Sequence, residues 1–455
     1  MLRIYAYEYI IASDMRIVYR VFQETEKDKQ KDTKAERAKE MAINDTNREN
    51  IRGALKALER KVLNRAGGCF SGEDAENFIE AVVFLKERGY PLAAGRDSGS
   101  DAMKTYEGLP EEDREVLDGL GYPSNLGKLL DEGVAEAVIK LFCKSPLFQG
   151  GYGLETPSAG ELFTEVVSCY DTRRMHAGTI RQGDNIATIM QDLLLKGVKA
   201  GPDGRISVYD MAMGTGLMLS AVAEKAGEMC PKAHVVCYGQ EKDLHKYILA
   251  KAAAMLKGLD HDYADADVIP EDRFVGQTFS LGVTGFPVET NWGKNAKEVI
   301  EEYKAIPFGR FQPGLPSVSD VQVLYLLNGI SKMADGGKMA IVMTDDALLD
   351  PRAKEMENIR KYVLGNDLIE TIVRTKAKPK IRKFSCIYLL NKKKLAKRRG
   401  KVQIINIESE MVEGKDIVLQ AYKEFRNRVY EDGEHMIESR ICSTEEYEKM
   451  LCKTM

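Results

Sequence analysis

Residues 206–220, Ile-Ser-Val-Tyr-Asp-Met-Ala-Met-Gly-Thr-Gly-Leu-Met-Leu-Ser, constrain the fold more than any other stretch of the chain. An apolar run ends at Asp210, glycines follow at 214 and 216, and helix-forming residues begin at about Gly216. The spacing predicts a strand, a tight turn and a helix. Gly214 and Gly216, with Thr215 between them, permit backbone conformations closed to other residues and let a ligand approach with no Cβ in the way. Taken alone, Gly-x-Gly after a strand is weak, because many α/β proteins make a tight turn there for packing reasons. The second apolar run, His234-Val-Val-Cys-Tyr-Gly-Gln-Glu241, strengthens it by ending in an acid. In a doubly wound sheet an acid at the end of the second strand is placed to accept hydrogen bonds from ribose hydroxyls. Together the two runs point to a nucleotide-type cofactor loop.

A chain of 455 residues is long enough for a large core and two or three domains. Its net charge of −4 means that affinity for a polyanion must come from local basic patches, not from the global field. The eight cysteines (69, 143, 169, 230, 237, 386, 442 and 452) form no Cys-x-x-Cys pair, and no histidine stands at metal-ligand spacing from them. We therefore expect a reducing, cytoplasmic setting and no zinc site. The five histidines stand beside no serine or cysteine in a nucleophile pattern, so hydrolase chemistry has no support. No apolar run approaches 18 residues, and we expect neither a signal peptide nor a membrane span.

The pattern of apolar residues divides the chain. Residues 24–40 alternate charge sign at helical spacing and read as a solvated helix or linker. From Asn50 to Glu161 apolar residues recur at three and four, as in Leu55, Leu58, Val62 and Phe78, Val82, Leu85, broken at Gly89-Tyr-Pro and Gly121-Tyr-Pro. This predicts a helical N-terminal domain over 1–160. After Arg205 short strands alternate with helices, with strands near 206–211, 234–240, 279–284, 338–344, 368–374 and 384–390. Residues 161–410 are thus expected to form a Rossmann-like α/β domain. The link Lys376-Ala-Lys-Pro-Lys-Ile-Arg-Lys383 is too short for a crossover helix, so the last two strands should pair antiparallel. A further strand is expected at Val402–Ile407, and 411–455 reads as a helical C-terminal tail.

Four further segments share an order. Asp210-Met-Ala-Met-Gly-Thr-Gly-Leu-Met-Leu219 is followed by Gly239-Gln240-Glu241 and a helix rich in Ala and Leu up to Leu256-Lys-Gly258. Then come Trp292, Tyr303 through Pro307-Phe308-Gly309, Asp320 heading a helix, and Asp335-Gly-Gly-Lys-Met-Ala-Ile-Val-Met343. In this order the region from about 160 to 410 resembles the modification (M) subunit of type I restriction-modification systems, in the adenine-N6 DNA methyltransferase class. The resemblance implies an S-adenosylmethionine-dependent methyltransferase domain whose cofactor is held by Asp210, Gly214, Thr215, Gly216 and Glu241. An acid contacting the cofactor adenine would be Asp265 or, better placed, Asp267, although an Asp before Pro270 is also a common turn former. It also implies DNA as substrate, with separate specificity and restriction subunits as partners.

Two segments depart from the family pattern. Its catalytic loop, Asn-Pro-Pro-Phe, should follow the strand ending at Thr284, but the chain reads Gly285-Phe286-Pro287-Val288. In the family the Asn oxygen and a proline carbonyl accept hydrogen bonds from the target amino group, and the Phe stacks on the flipped base. Acceptors aimed at that amine push density onto a poor nucleophile, and Gly285 has no side chain with which to do so. Thr284, one position earlier, offers a hydroxyl, and Phe286 still offers a ring to stack. The family's Tyr-Thr-Pro lid is likewise replaced, by Arg181-Gln182-Gly183. Beside an adenine methyltransferase subunit, a silent DNA-binding scaffold or a methyltransferase for another substrate therefore stays open.

The remaining features have plainer readings. Asp345 and Asp346 follow a strand end and fit a helix cap, and Met211, Met213 and Met218 fit as packing under the glycine turn. The basic runs at 374–383 and 392–401 flank one strand at opposite ends. They are either solvated loops or a phosphate-binding rim, with Lys392, Lys393 and Lys394 the candidates in the second run.

Overall fold

A computed structural model describes residues 45–91, 98–154, 159–174, 185–285, 291–344, 348, 355–374, 385–407, 415–432 and 435–453. The charged stretch 24–40, the lid position 181–183, Phe286 to Val288, Asp345, Asp346 and the basic link 376–383 lie outside the described residues.

Helices form where the sequence sets apolar residues three and four apart. The first, α1 (Asp45–Ala66), buries Ile51, Leu55, Leu58 and Val62 on one side. Helix α2 (Gly72–Glu87) starts at a capping box in which Ser71 Oγ accepts the Asp74 amide and the Asp74 carboxylate accepts the Ser71 amide. Next come α3 (Ser98–Glu107), α4 (Glu111–Gly119), α5 (Tyr122–Asp131), α6 (Ala135–Cys143) and α7 (Glu161–Arg174). Their apolar faces meet in one core around Phe78, Phe84, Phe142 and Tyr170. Leu162, Phe163 and Val166 of α7 also pack in this helical core.

Beyond α8 (Asn185–Leu195) the chain builds a ten-stranded sheet. Its first strands and helices are β1 (Arg205–Asp210), α9 (Leu217–Met229), β2 (His234–Glu241), α10 (Leu244–Leu256), β3 (Asp260–Asp265) and β4 (Phe279–Thr284). They continue as α11 (Ala296–Ala305), α12 (Gln322–Lys332), β5 (Met333–Thr344), α13 (Met356–Gly365), β6 (Ile369–Arg374) and β7 (Ser385–Asn391). The last elements are β8 (Lys401–Ile407), α14 (Lys415–Glu424), β9 (Arg428–Asp432), β10 (His435–Ser443) and α15 (Thr444–Lys453). Strand residues sort to two faces by alternation: Met339, Ile341 and Met343 face α12 and α13, whereas Ala340 and Val342 face α8 and α9. The helical core joins this layer through α10, whose Ile248, Leu249, Ala252 and Ala253 pack into it.

The strand order is β3-β2-β1-β4-β5-β7-β6-β8-β10-β9. Strands β1 to β5 run parallel, and β7 is antiparallel to both β5 and β6, as the short link required. The chain leaves β1 toward β2 on one side and resumes at β4 on the other, so the crevice at their carboxyl ends is the place where such sheets bind ligands.

Three strands escaped the sequence pattern. Strand β3 reads Asp-His-Asp-Tyr-Ala-Asp, with no apolar alternation, because it is an edge and its charges discourage further pairing. The expected helical tail is corrected in part: it holds α14 and α15, but β9 and β10 extend the same sheet through β8. Among the described residues no helix is long and apolar enough to cross a membrane.

Candidate cofactor and substrate site

The glycine turn closes on hydrogen bonds from both neighbouring strands. The Met213 amide donates to Gln240 O at 3.0 Å, and the Gly214 amide donates to one Glu241 carboxylate oxygen at 2.9 Å. The other oxygen accepts the Asp243 amide, also at 2.9 Å. Glu241 is thus spanned by two backbone donors while each oxygen keeps acceptor capacity. Burial raises its pKa above the usual carboxylate value, and these two donors work against that shift.

The two glycines have different reasons to be there. Gly214 has φ +56° and nothing within 4 Å of where a Cβ would stand, which leaves the outer side of the turn open. Gly216, at φ +69°, opens α9, and a Cβ there would sit 2.8 Å from that of Ala250 on α10. One glycine serves approach from outside; the other serves helix packing. Beneath the turn Met213 packs against Gly239, where any Cβ would collide with its sulfur. Thr215 is buried within the turn.

Asp210 ends β1 fully enclosed. Its carboxylate accepts the Thr284 hydroxyl at 2.6 Å and the Ala212 amide at 3.0 Å. Burial first, and the nearby Glu241 charge last, push its pKa up to about 7 against those two donors. Thr284 Oγ1 in turn accepts the Met211 amide at 3.3 Å, and the residue is wholly buried. Its hydroxyl is thereby committed to tying β4 to β1 and to the start of the turn, instead of pointing at a substrate. Gly285 follows it, and the loop is fixed again at Trp292, whose indole N–H donates to Ser317 O and whose amide donates to Val318 O. Phe286 and Pro287, named from the sequence, lie between these two fixed ends and outside the described residues.

Asp267 lies beside this group. It folds back on the Ile269 amide at 3.1 Å as a turn former does, and its second oxygen accepts from Lys242 and Asn295 at 3.4 Å each. Asp265 is exposed. The strap after β3 is held by the buried guanidinium of Arg310, which donates to the carbonyls of Val268 and Ile269.

Sequence reasoning missed Tyr325. On α12, Asn328 touches the Met211 sulfur, and Gly329 lies so close to Met211 and Met339 that a Cβ would crowd both. One turn nearer the carboxyl end of the sheet, Tyr325 lies in the field of Asp267, Glu241 and Asp210, which together with burial raises its pKa. The available signal was a tyrosine four residues before a glycine on an otherwise aliphatic helix; it reads as core until the packing of α12 on the turn is known.

The basic runs separate. Strand register sets Thr344 of β5 against Ser385 and Lys338 against Asn391, so Arg374 and Ser385 are at the cofactor end and the 392–401 run is at the opposite end. In the second run Lys394 is buried against Asp367 at 2.5 Å, and Lys392 is bound to the Met333 carbonyl at 2.5 Å. Arg398 is buried between the rings of Tyr422 and Phe425, near Glu370 and bonded to Gln403. Lys394 and Arg398 brace β8 and α14, so the expectation of a phosphate rim is corrected for Lys394, whereas Lys392 and Lys393 are exposed.

Comparison with known proteins agrees with this geometry. A family model described as N-6 DNA methylase matches residues 177–445. The chain belongs to the N-6 DNA methylase family. It is 26% identical over 208 residues to the type I restriction enzyme MjaIX methylase subunit of Methanocaldococcus jannaschii, covering 45% of this chain and 36% of that one. With the MjaVIII methylase subunit of the same organism it shares 23% over 393 residues, covering 77% and 63% respectively. The matched stretches thus span less than two thirds of either relative. Its fold is similar to that of the type I restriction-modification methyltransferase subunit from Streptococcus thermophilus, with a TM-score of 0.59, 18% identity, and coverage of 89% of this chain and 97% of that one.

Two outcomes follow from this geometry. Because the folded pKa of Asp210 exceeds the ~3.9 of an unfolded chain, its contribution to stability is full below about pH 4 and lost as pH rises through about 7. Replacing Thr284 by Val removes a donor to the ionised form and should cost about 2 kcal/mol at pH 8 but clearly less at pH 5; urea titrations giving equal costs would contradict the ionised pair. Replacing Arg398 by Gln removes the cation beside the buried Glu370, leaving it the neutral donors Asn391 and Tyr422, and should cost about 3 kcal/mol, whereas a urea midpoint unchanged from the native protein would show the arginine to be peripheral.

Proposed function

We propose that the chain is the modification subunit of a type I restriction-modification system, a DNA adenine-N6 methyltransferase module that binds S-adenosylmethionine and works with separate specificity and restriction subunits. The observation that carries this reading is the Glu241 carboxylate held by the Gly214 amide beneath a turn that is open on its outer side. Family membership and the likeness to type I methylase subunits support it.

The residues present fit the cofactor. Gly214 to Gly216 would take it along the turn, Glu241 would accept from the ribose hydroxyls, and Asp267 and Tyr325 would border the adenine. Bound there, the cofactor supplies an electrophilic methyl group on sulfur. The chain's own task is to present a flipped adenine to that methyl and keep water away. Phe286 would stack on the base, and the basic residues 376–383, which follow β6 and precede β7 in sequence, would contact phosphates.

Methyl transfer is expected to be slow. Gly285 has no side-chain acceptor, and the Thr284 hydroxyl is engaged by Asp210 and Met211. Losing a single well-placed electrostatic partner typically costs about 10² to 10³ in rate. The same observation favours a second reading, a cofactor-binding scaffold that assembles on DNA without methylating it.

Calorimetric titration with S-adenosylmethionine should show binding that falls on the order of 10- to 100-fold in Glu241→Gln, the loss of a charge-assisted hydrogen bond. Equal affinity of the two proteins would remove Glu241 from the site. In a radiolabel assay on mixed-sequence duplex, with and without a specificity subunit, transfer by the native chain should be very slow or absent. Restoring Asn-Pro-Pro-Phe at 285–288 should raise it. Robust transfer by the native chain would overturn the loop argument.

A further inference from the structure

Helix α1 is unusually basic for a chain of net charge −4, carrying Arg48, Arg52, Lys56, Arg60, Lys61 and Arg65 against three acids. Residues four apart on a helix advance by roughly 6 Å and drift by roughly 40°, so Arg48, Arg52, Lys56 and Arg60 form a continuous stripe along one flank. All four are exposed. At its start Arg48 and Arg52 reach Glu165 of α7 at 3.2 and 3.9 Å. Farther along, Lys56 and Arg60 pair with no acid among the described residues.

The helical layer also reaches the cofactor end of the sheet. His245, in the first turn of α10 and four residues beyond Glu241, pairs with the buried Glu80 of α2 at 3.3 Å. Helix α1 packs on both α2 and α7. Through α2 the basic helix therefore belongs to the layer that meets the first turn of α10, at the carboxyl end of β2.

We propose that the Arg52, Lys56 and Arg60 flank of α1 is a second phosphate-binding surface that grips duplex DNA from the helical side. Its cations are long, exposed and regularly spaced, which suits the sequence-independent contacts that position a protein on a duplex. No base reading is expected there. The inference rests on DNA being the substrate, and the test separates the two ideas.

The full chain would be titrated with a fluorescein-labelled mixed-sequence duplex by anisotropy between about 50 and 200 mM salt. Lys56→Gln with Arg60→Gln keeps helix propensity and removes two cations. It should weaken binding at low salt on the order of tenfold and reduce the log–log salt slope by about two, since each phosphate contact contributes roughly 0.9. Lys61→Gln with Arg65→Gln removes the same charge from the opposite flank and should change neither, and both variants should keep the native affinity for S-adenosylmethionine. Equal losses in the two variants would overturn the stripe in favour of bulk charge. An unchanged slope in the first variant would overturn it outright, and if that variant also failed to join a specificity subunit, the flank would be a protein-docking face. A native chain that binds the cofactor but shows no salt-dependent DNA binding would remove the DNA reading itself.

Discussion

The Glu241 carboxylate bridges the Gly214 amide of the turn and the Asp243 amide at the head of α10, so one side chain fixes the end of β2 against the end of β1. Its position depends on the second clasp, where Asp210 and Thr284 tie β1 to β4 and orient the Met211 amide. These two carboxylates sit at the switch point of the sheet, where burial disfavours their charge and backbone donors restore it. A compact array of oriented amides and acceptors at the strand ends is what a nucleoside-bearing cofactor requires. It is also what sets Thr284 apart from substrate.

The geometry divides labour between the two ends of the sheet. At the carboxyl ends lie the turn, Tyr325, Gly285, and the strand ends at Arg374 and Ser385. At the opposite end, Lys394 and Arg398 are consumed in bracing β8 and α14 against the body of the sheet. Charge in the sequence therefore had two fates. A lysine whose ammonium is buried against a carboxylate gives little to a polyanion, whereas the α1 stripe remains exposed. The helical layer and the sheet share apolar packing through α10 and so form one continuous structure.

The fold was largely legible because its central strands are buried on both faces and stand out as apolar runs between glycine turns. The β1 turn, Glu241, and the antiparallel return from β6 to β7 could each be read from local spacing. Strand β3 could not, since a charged edge strand has no apolar alternation to detect. Strands β9 and β10 were hidden because only pairing with β8 reveals them. Tyr325 was invisible for a related reason: its role depends on which helix face meets Met211, a tertiary fact. Lys394 misled because charge in a sequence carries no sign of burial. Thr284 was identified as a site residue, but only its hydrogen bonds tell that its hydroxyl is already committed.

The central claim is that the amides organised by Glu241 receive S-adenosylmethionine. Hydrogen–deuterium exchange of the full chain, with and without the cofactor, tests it directly. The account predicts slowed exchange in peptides covering Asp210 to Gly216 and Gly239 to Asp243, with no change across Ala396 to Lys401 at the far end of the sheet. Unchanged exchange across both strand ends at saturating cofactor, or protection confined to another part of the chain, would contradict it.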